Sequence, residues 1–175
     1  MSFEDKIISR KLNSSHVFIA TFLGALAEGG FLNKGVLNIV IPKVAEKIVT
    51  YLKFKHGSLS SYTTSIEEQI KLVLRILKEE LDPFINYLIS VRENKITIAI
   101  ETNTCKFCPK GVGEADLPGI LCVFPQLIKG VLKGLIGGEY EINVPLVKKS
   151  GYCVFQIEKK VKQFQDRRLS SFINV

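Results

Sequence analysis

Cys105, Cys108, Cys122 and Cys153 are the whole thiol content of this chain, and all lie in its second half. Cys105-Lys-Phe-Cys108 is a pair with two intervening residues, the spacing that lets two thiolates reach one tetrahedral ion from a single tight turn. Cys122 reads as the start of a helix, where N–H groups and the helix dipole favour a thiolate. Cys153 falls in a late strand. If one ion takes all four, then a loop, a helix start and a strand must meet, which constrains everything after residue 100.

A catalytic zinc normally keeps three protein ligands and an open position, whereas four thiolates close the shell. The expectation is therefore a structural zinc on Cys105, Cys108, Cys122 and Cys153. Two alternatives stay open. Cys122 and Cys153 are small buried hydrophobes while Cys105 and Cys108 form a redox pair or an inert turn. Or His16 or His56, the two histidines of the chain, replaces Cys153 if the N-terminal helices pack back onto the loop.

Metal binding is preferred over disulfides because the N-terminus mixes charges of both signs and lacks an apolar signal core, which points to a cytoplasmic, reducing setting. The apolar stretches at 17–27 and 36–41 fall short of the roughly 20 residues that a spanning helix needs. With 175 residues, 46% of them apolar, the chain can build one core without disulfide staples. The expected organisation is a single domain over residues 1–160, followed by a basic tail over 161–175. Formal charge is 24 − 17 = +7; four thiolates and one Zn²⁺ add −2, leaving +5.

Ser14 and Ser15 offer caps for an apolar helix that ends at Gly29-Gly30. Asn33 caps a second helix to about residue 55, with Pro42 expected to kink it. Ser65-Ile-Glu-Glu68 opens a third, one-sided helix that Asp82-Pro83 stops. The pattern then becomes β-branched and alternating, giving a hairpin over 84–101 turned at Arg92-Glu93-Asn94. After the cysteine loop, a helix from Val123, with Pro125 in its first turn, ends at Gly137-Gly138. Strands near 139–147 and 152–159 form a second hairpin. This order predicts an α+β fold: helices packed on a small antiparallel sheet of two hairpins.

Cys105-x-x-Cys108, Glu114, Pro118-Gly119, Cys122, Gly130 and Gly151-Tyr-Cys153-Val-Phe155 together resemble the 4-vinyl reductase (hydrocarbon-binding) domain family. That resemblance implies the ligand-binding fold shared by haem nitric-oxide sensors and transport protein particle (TRAPP) subunits, in which helices and a small sheet surround an apolar cavity. It departs from the family at Pro145-Leu146-Val147, where a further cysteine is usual. Haem binding is not carried over, because no histidine has an axial-ligand context.

The leading functional expectation is a module that binds or senses a hydrophobic small molecule or acyl chain, stabilised by the zinc and not itself an enzyme. Phe18, Phe22, Leu26, Val40, Val44 and Leu127 are the candidate lining residues, with plain core packing as the alternative for each. The resemblance also implies a tetrapyrrole vinyl reductase or its accessory protein, but no nucleotide-cradling glycine motif accompanies it. A third reading is nucleic-acid binding through Lys148, Lys149, Lys159, Lys160, Lys162, Arg167 and Arg168. Relatives by resemblance associate through helical surfaces, which points to a homodimer.

Overall fold

A computed structural model describes residues 3–57, 65–110 and 112–160. They form helices α1 (Phe3–Arg10), α2 (Ser14–Glu28), α3 (Lys34–His56), α4 (Ile66–Leu81) and α5 (Phe124–Ile136). The strands are β1 (Tyr87–Arg92), β2 (Lys95–Glu101), β3 (Glu139–Lys149) and β4 (Tyr152–Lys160). All pairings are antiparallel and the strand order is β1-β2-β4-β3, so the two expected hairpins lie side by side, joined through β2 and β4. The α+β layout read from the sequence is the one found. The expected basic tail lies outside the described residues.

The core follows from strand alternation. Ile96, Ile98 and Ile100 share one face of β2, and the register sets Ile98 opposite Phe155 and Ile96 opposite Ile157, all fully buried. Each such side chain contributes about 1.5–3 kcal/mol of burial free energy. Buried side chains of α5, among them Val131 and Leu132, join the same cluster.

Helix α5 also touches α3 almost backbone to backbone. A Cβ placed on Gly130 would stand 2.6 Å from the Ala45 Cβ, and one on Gly134 would stand 2.6 Å from a Val49 methyl. Pro42 lies inside α3 without ending it, and Gly57 at φ 73° stops the helix. Asp82, in the left-handed region, terminates α4 ahead of Pro83.

Helix α1 was not expected from the sequence. Helix α2 shows which way an all-round apolar helix turns: it buries His16, Ala20 and Gly24, a stripe at four-residue steps. The reason is steric. Gly113 packs its backbone against Gly24 and against the Ala20 carbonyl, so a larger side chain at either glycine would overlap main chain. Phe18 and Phe22 are left on the outside, while Ile19, Leu23 and Leu26 are half-buried against the core.

Candidate metal centre and the groove along α3

The loop after β2 is tied down before it reaches the first cysteine. Thr102 donates both its backbone N–H and its hydroxyl to the Gly151 carbonyl, at 2.9 and 3.0 Å. Cys105 bridges to Phe84 in antiparallel fashion, and the Lys106 N–H donates to the Pro83 carbonyl at 2.8 Å. The Cys105 sulfur then accepts from the backbone N–H groups of Phe107 and Cys108. Such N–H···S bonds favour the thiolate, the form that binds metal.

Cys122 follows a 3₁₀ turn (Gly119–Leu121), with its N–H donating to the Gly119 carbonyl at 3.1 Å. Its sulfur accepts from the Phe124 N–H at the start of α5. Gly119 lies against the Leu146 carbonyl of β3, so no side chain fits there. Cys153, in β4, is paired with Ile100 on one side and Lys148 on the other. The loop, the helix start and the last strand do meet.

All four cysteines line one cavity of about 50 Å³, whose remaining wall includes Leu23, Phe107, Leu117 and Phe124. A water needs roughly 10–15 Å³ by such a measure, and ligand pockets run to about 300–1,000 Å³, so the space suits an ion rather than an organic molecule. The thiols feel one another: Cys105 interacts with Cys108 and Cys122, and Cys153 with Cys108 and Cys122. Burial pushes the Cys105 thiol well up, Cys122 to about 12 and Cys153 up, with neighbouring thiols adding to it. Thiolates here require a compensating cation. Among the described residues, no group of three or more His, Cys, Asp or Glu side chains is arranged to hold an ion. The thiols surround the cavity without closing on a common point.

Positive groups ring this cavity. Lys148 and Lys110 share Asp116, at 2.5 and 3.2 Å, and both lysines favour the charged form of Cys153. Arg10, at the end of α1, is buried and donates to the carbonyls of Cys105 (3.3 Å), Cys108 (3.2 Å) and Lys110 (2.9 Å). Sequence reasoning missed this anchor. Its partners are carbonyls, which carry no residue signature.

Neither histidine is free to join the thiols. The Asn13 N–H donates to His16 Nδ1 at 3.1 Å, so Nε2 carries the proton and donates to the Leu81 carbonyl at 3.4 Å. His56 Nε2 is 2.9 Å from Glu80.

The six proposed lining residues do not surround one interior cavity. Phe18 and Phe22 stack on each other at 5.9 Å and face outward, 68% and 53% exposed. Leu26 is half-buried against the core, and Leu127 lies within it. Val40 and Val44 instead line an open groove of about 550 Å³ along α3, bounded across by Glu80 and Leu81 of α4. Of the basic residues singled out, Lys148 pairs with Asp116, Lys160 with Glu141, and Lys159 lies over the Tyr140 ring. Lys162, Arg167 and Arg168 lie outside the described residues.

A family model described as the MJ0207 family matches residues 30–159, from the end of the α2–α3 turn to the last residues of β4. The chain belongs to the MJ0207 family. It is also similar to the uncharacterized protein MJ1342 of Methanocaldococcus jannaschii, 31% identical over 109 residues that cover 50% of this chain and 94% of that protein. Membership of the 4-vinyl reductase family, with the haem-sensor and TRAPP relationship drawn from it, is thereby corrected, and a vinyl-reductase activity loses the resemblance on which it rested. The residues behind that likeness, Cys105 to Cys108 and Gly151-Tyr-Cys153-Val-Phe155, are a short cysteine-bearing loop and a tight turn into a strand. Local geometry alone demands such residues, so they are poor markers of family. The stretch from α3 through the Cys153 strand is the MJ0207 segment; α1 and the whole of α2 precede it. No described helix is long and apolar enough to cross a membrane.

Proposed function

We propose that this chain is a binding module for an apolar small molecule or acyl chain, held in shape by a structural zinc ion on Cys105, Cys108, Cys122 and Cys153. The observation that carries the reading is a division of space. The thiol-lined cavity is ion-sized at about 50 Å³, while the groove along α3, at about 550 Å³, falls in the range of ligand pockets.

Zinc suits the donor set because four soft thiolates favour a closed tetrahedral site with no redox role. The N–H···S bonds at Cys105 and Cys122 and the nearby Arg10, Lys110 and Lys148 offset its net negative charge. Zinc held by these four sulfurs would tie the Cys105–Cys108 turn, α5 and β4 together. A thiolate site of this kind goes with a reducing, cytoplasmic setting.

Native mass spectrometry of the full chain, with elemental analysis, tests both parts. One zinc per chain together with a co-purifying or added alkyl ligand is expected. Metal-free protein of unchanged stability after zinc addition refutes the clamp, and failure to bind any apolar ligand refutes the module.

The outward Phe18–Phe22 pair favours a second reading, association of two copies through α2. Sedimentation at several concentrations tests it: a single monomeric species throughout rules it out.

A further inference from the structure

We infer that the groove along α3 takes one dissolved amphiphile with an anionic head, a carboxylate or phosphate on an apolar chain. This rests on the ligand-binding reading above and names its chemistry. The groove is lined by Ile39, Val40, Val44 and Ile48, with Lys43 and Lys47 set among them. The two lysines stand one turn apart, so their ammonium groups serve the same stretch of groove. Every described ion pair involves other residues, so neither lysine is matched to a described carboxylate.

The single carboxylate on the wall has its charge satisfied. Glu80 accepts from Lys55 at 2.8 Å, His56 at 2.9 Å and Tyr51 at 3.2 Å. Lys55 and His56 hold its carboxyl below the usual range, so it stays ionised and engaged there. The groove therefore offers an apolar lining with positive charge that no described carboxylate compensates. Its length along α3, from residue 39 to 51, is about 18 Å at 1.5 Å per residue, enough for an extended alkyl chain. Chain burial supplies most of the affinity and the lysines select the head.

The experiment compares dodecanoate with dodecanol, both below micelle-forming concentration, by titration calorimetry on the full zinc-supplemented chain. Dodecanoate is expected to bind one per chain, about tenfold tighter than dodecanol at low salt, as two exposed ion pairs allow. That gap should close at high salt and in the Lys43→Gln/Lys47→Gln double variant. Val44→Asp should weaken both ligands. Circular dichroism confirms that these exposed-site variants fold.

Equal binding of the two overturns the head-group inference and leaves the ligand reading standing. No binding of either, with concentration-dependent dimerisation that Val44→Asp abolishes, overturns both and gives the groove to a second copy. Binding to anionic phospholipid vesicles without binding to dissolved dodecanoate likewise overturns the inference in favour of a membrane surface.

Discussion

Replacing Arg10 by methionine keeps the length and apolar stem of the side chain and removes every donor that reaches the cysteine loop. The bond to the Cys105 carbonyl is the buried one, at 3.3 Å, while those to Cys108 and Lys110 are partly buried. An acceptor left unpaired in the interior costs about 1–3 kcal/mol, and partly hydrated ones cost roughly 0.5–1 kcal/mol each. Against this stands relief from holding a guanidinium in a site where no described carboxylate pairs with it, since uncompensated burial of charge is itself expensive. The net loss expected for the metal-free chain is about 1–2 kcal/mol. In the zinc-loaded chain the four thiolates and one Zn²⁺ carry a net negative charge beside the arginine, which adds about 1 kcal/mol or more to what methionine forfeits. Urea unfolding with zinc and with chelator measures both, and amide exchange across 105–110 reports on the Cys105–Cys108 turn directly. Arg10→Lys, which keeps the charge but not the fork, should fall between. If Arg10→Met matches the parent within about 0.5 kcal/mol in both states and exchange at 105–110 is unchanged, Arg10 does not hold that turn.

Chelation should lower the unfolding free energy by about 2.7 kcal/mol relative to a sample with free zinc at a hundredfold over Kd, and Cys153→Ser should abolish most of that difference; urea titrations with and without chelator read it. Gly134→Ala forces a Cβ to 2.6 Å from the Val49 side chain and should cost about 1–3 kcal/mol, with Val49→Ala relieving part of the loss in a double-mutant cycle. Tyr140 has a buried hydroxyl with no partner among the described residues, and burial pushes its pKa to about 12. The folded pKa exceeds the unfolded value near 10, so the associated stability is complete below about pH 10 and is lost as pH rises toward 12, by about 2–3 kcal/mol. Tyr140→Phe should therefore gain about 1 kcal/mol near neutral pH and lack this alkaline loss; a destabilised Phe variant at neutral pH would mean that the hydroxyl is paired.

The parts of this fold that were legible in the sequence are those in which a side-chain pattern and its physical cause coincide. Strand alternation at Ile96, Ile98 and Ile100, the stripe of α4 and the glycine stops after α2 and α5 all have local causes, and the elements lie where those patterns put them. The four cysteines line one cavity, but only Cys105 and Cys108 carry a local spacing signal; Cys122 and Cys153 reach it through the packing of α5 and β4, which spacing does not encode. Arg10 was not legible: an arginine in a polar lead looks solvated, and its carbonyl partners lie about a hundred residues away.

The helices α2 and α3 failed for a different reason. Apolar residues occur all round both, a pattern that ordinarily marks a buried helix. Periodicity then says nothing about which face turns inward. In α2, backbone contact with Gly113 selects the small face, so Phe18 and Phe22 point out. In α3, Leu37, Ile41, Ala45, Val49 and Leu52 go inward, leaving Val40, Val44 and Tyr51 on the open side. An outward apolar stripe of that length adds nothing to the stability of the isolated chain, and its exposure to water favours association. The same surplus that made these helices misleading as sequence is thus the physical ground for expecting an apolar partner along α3.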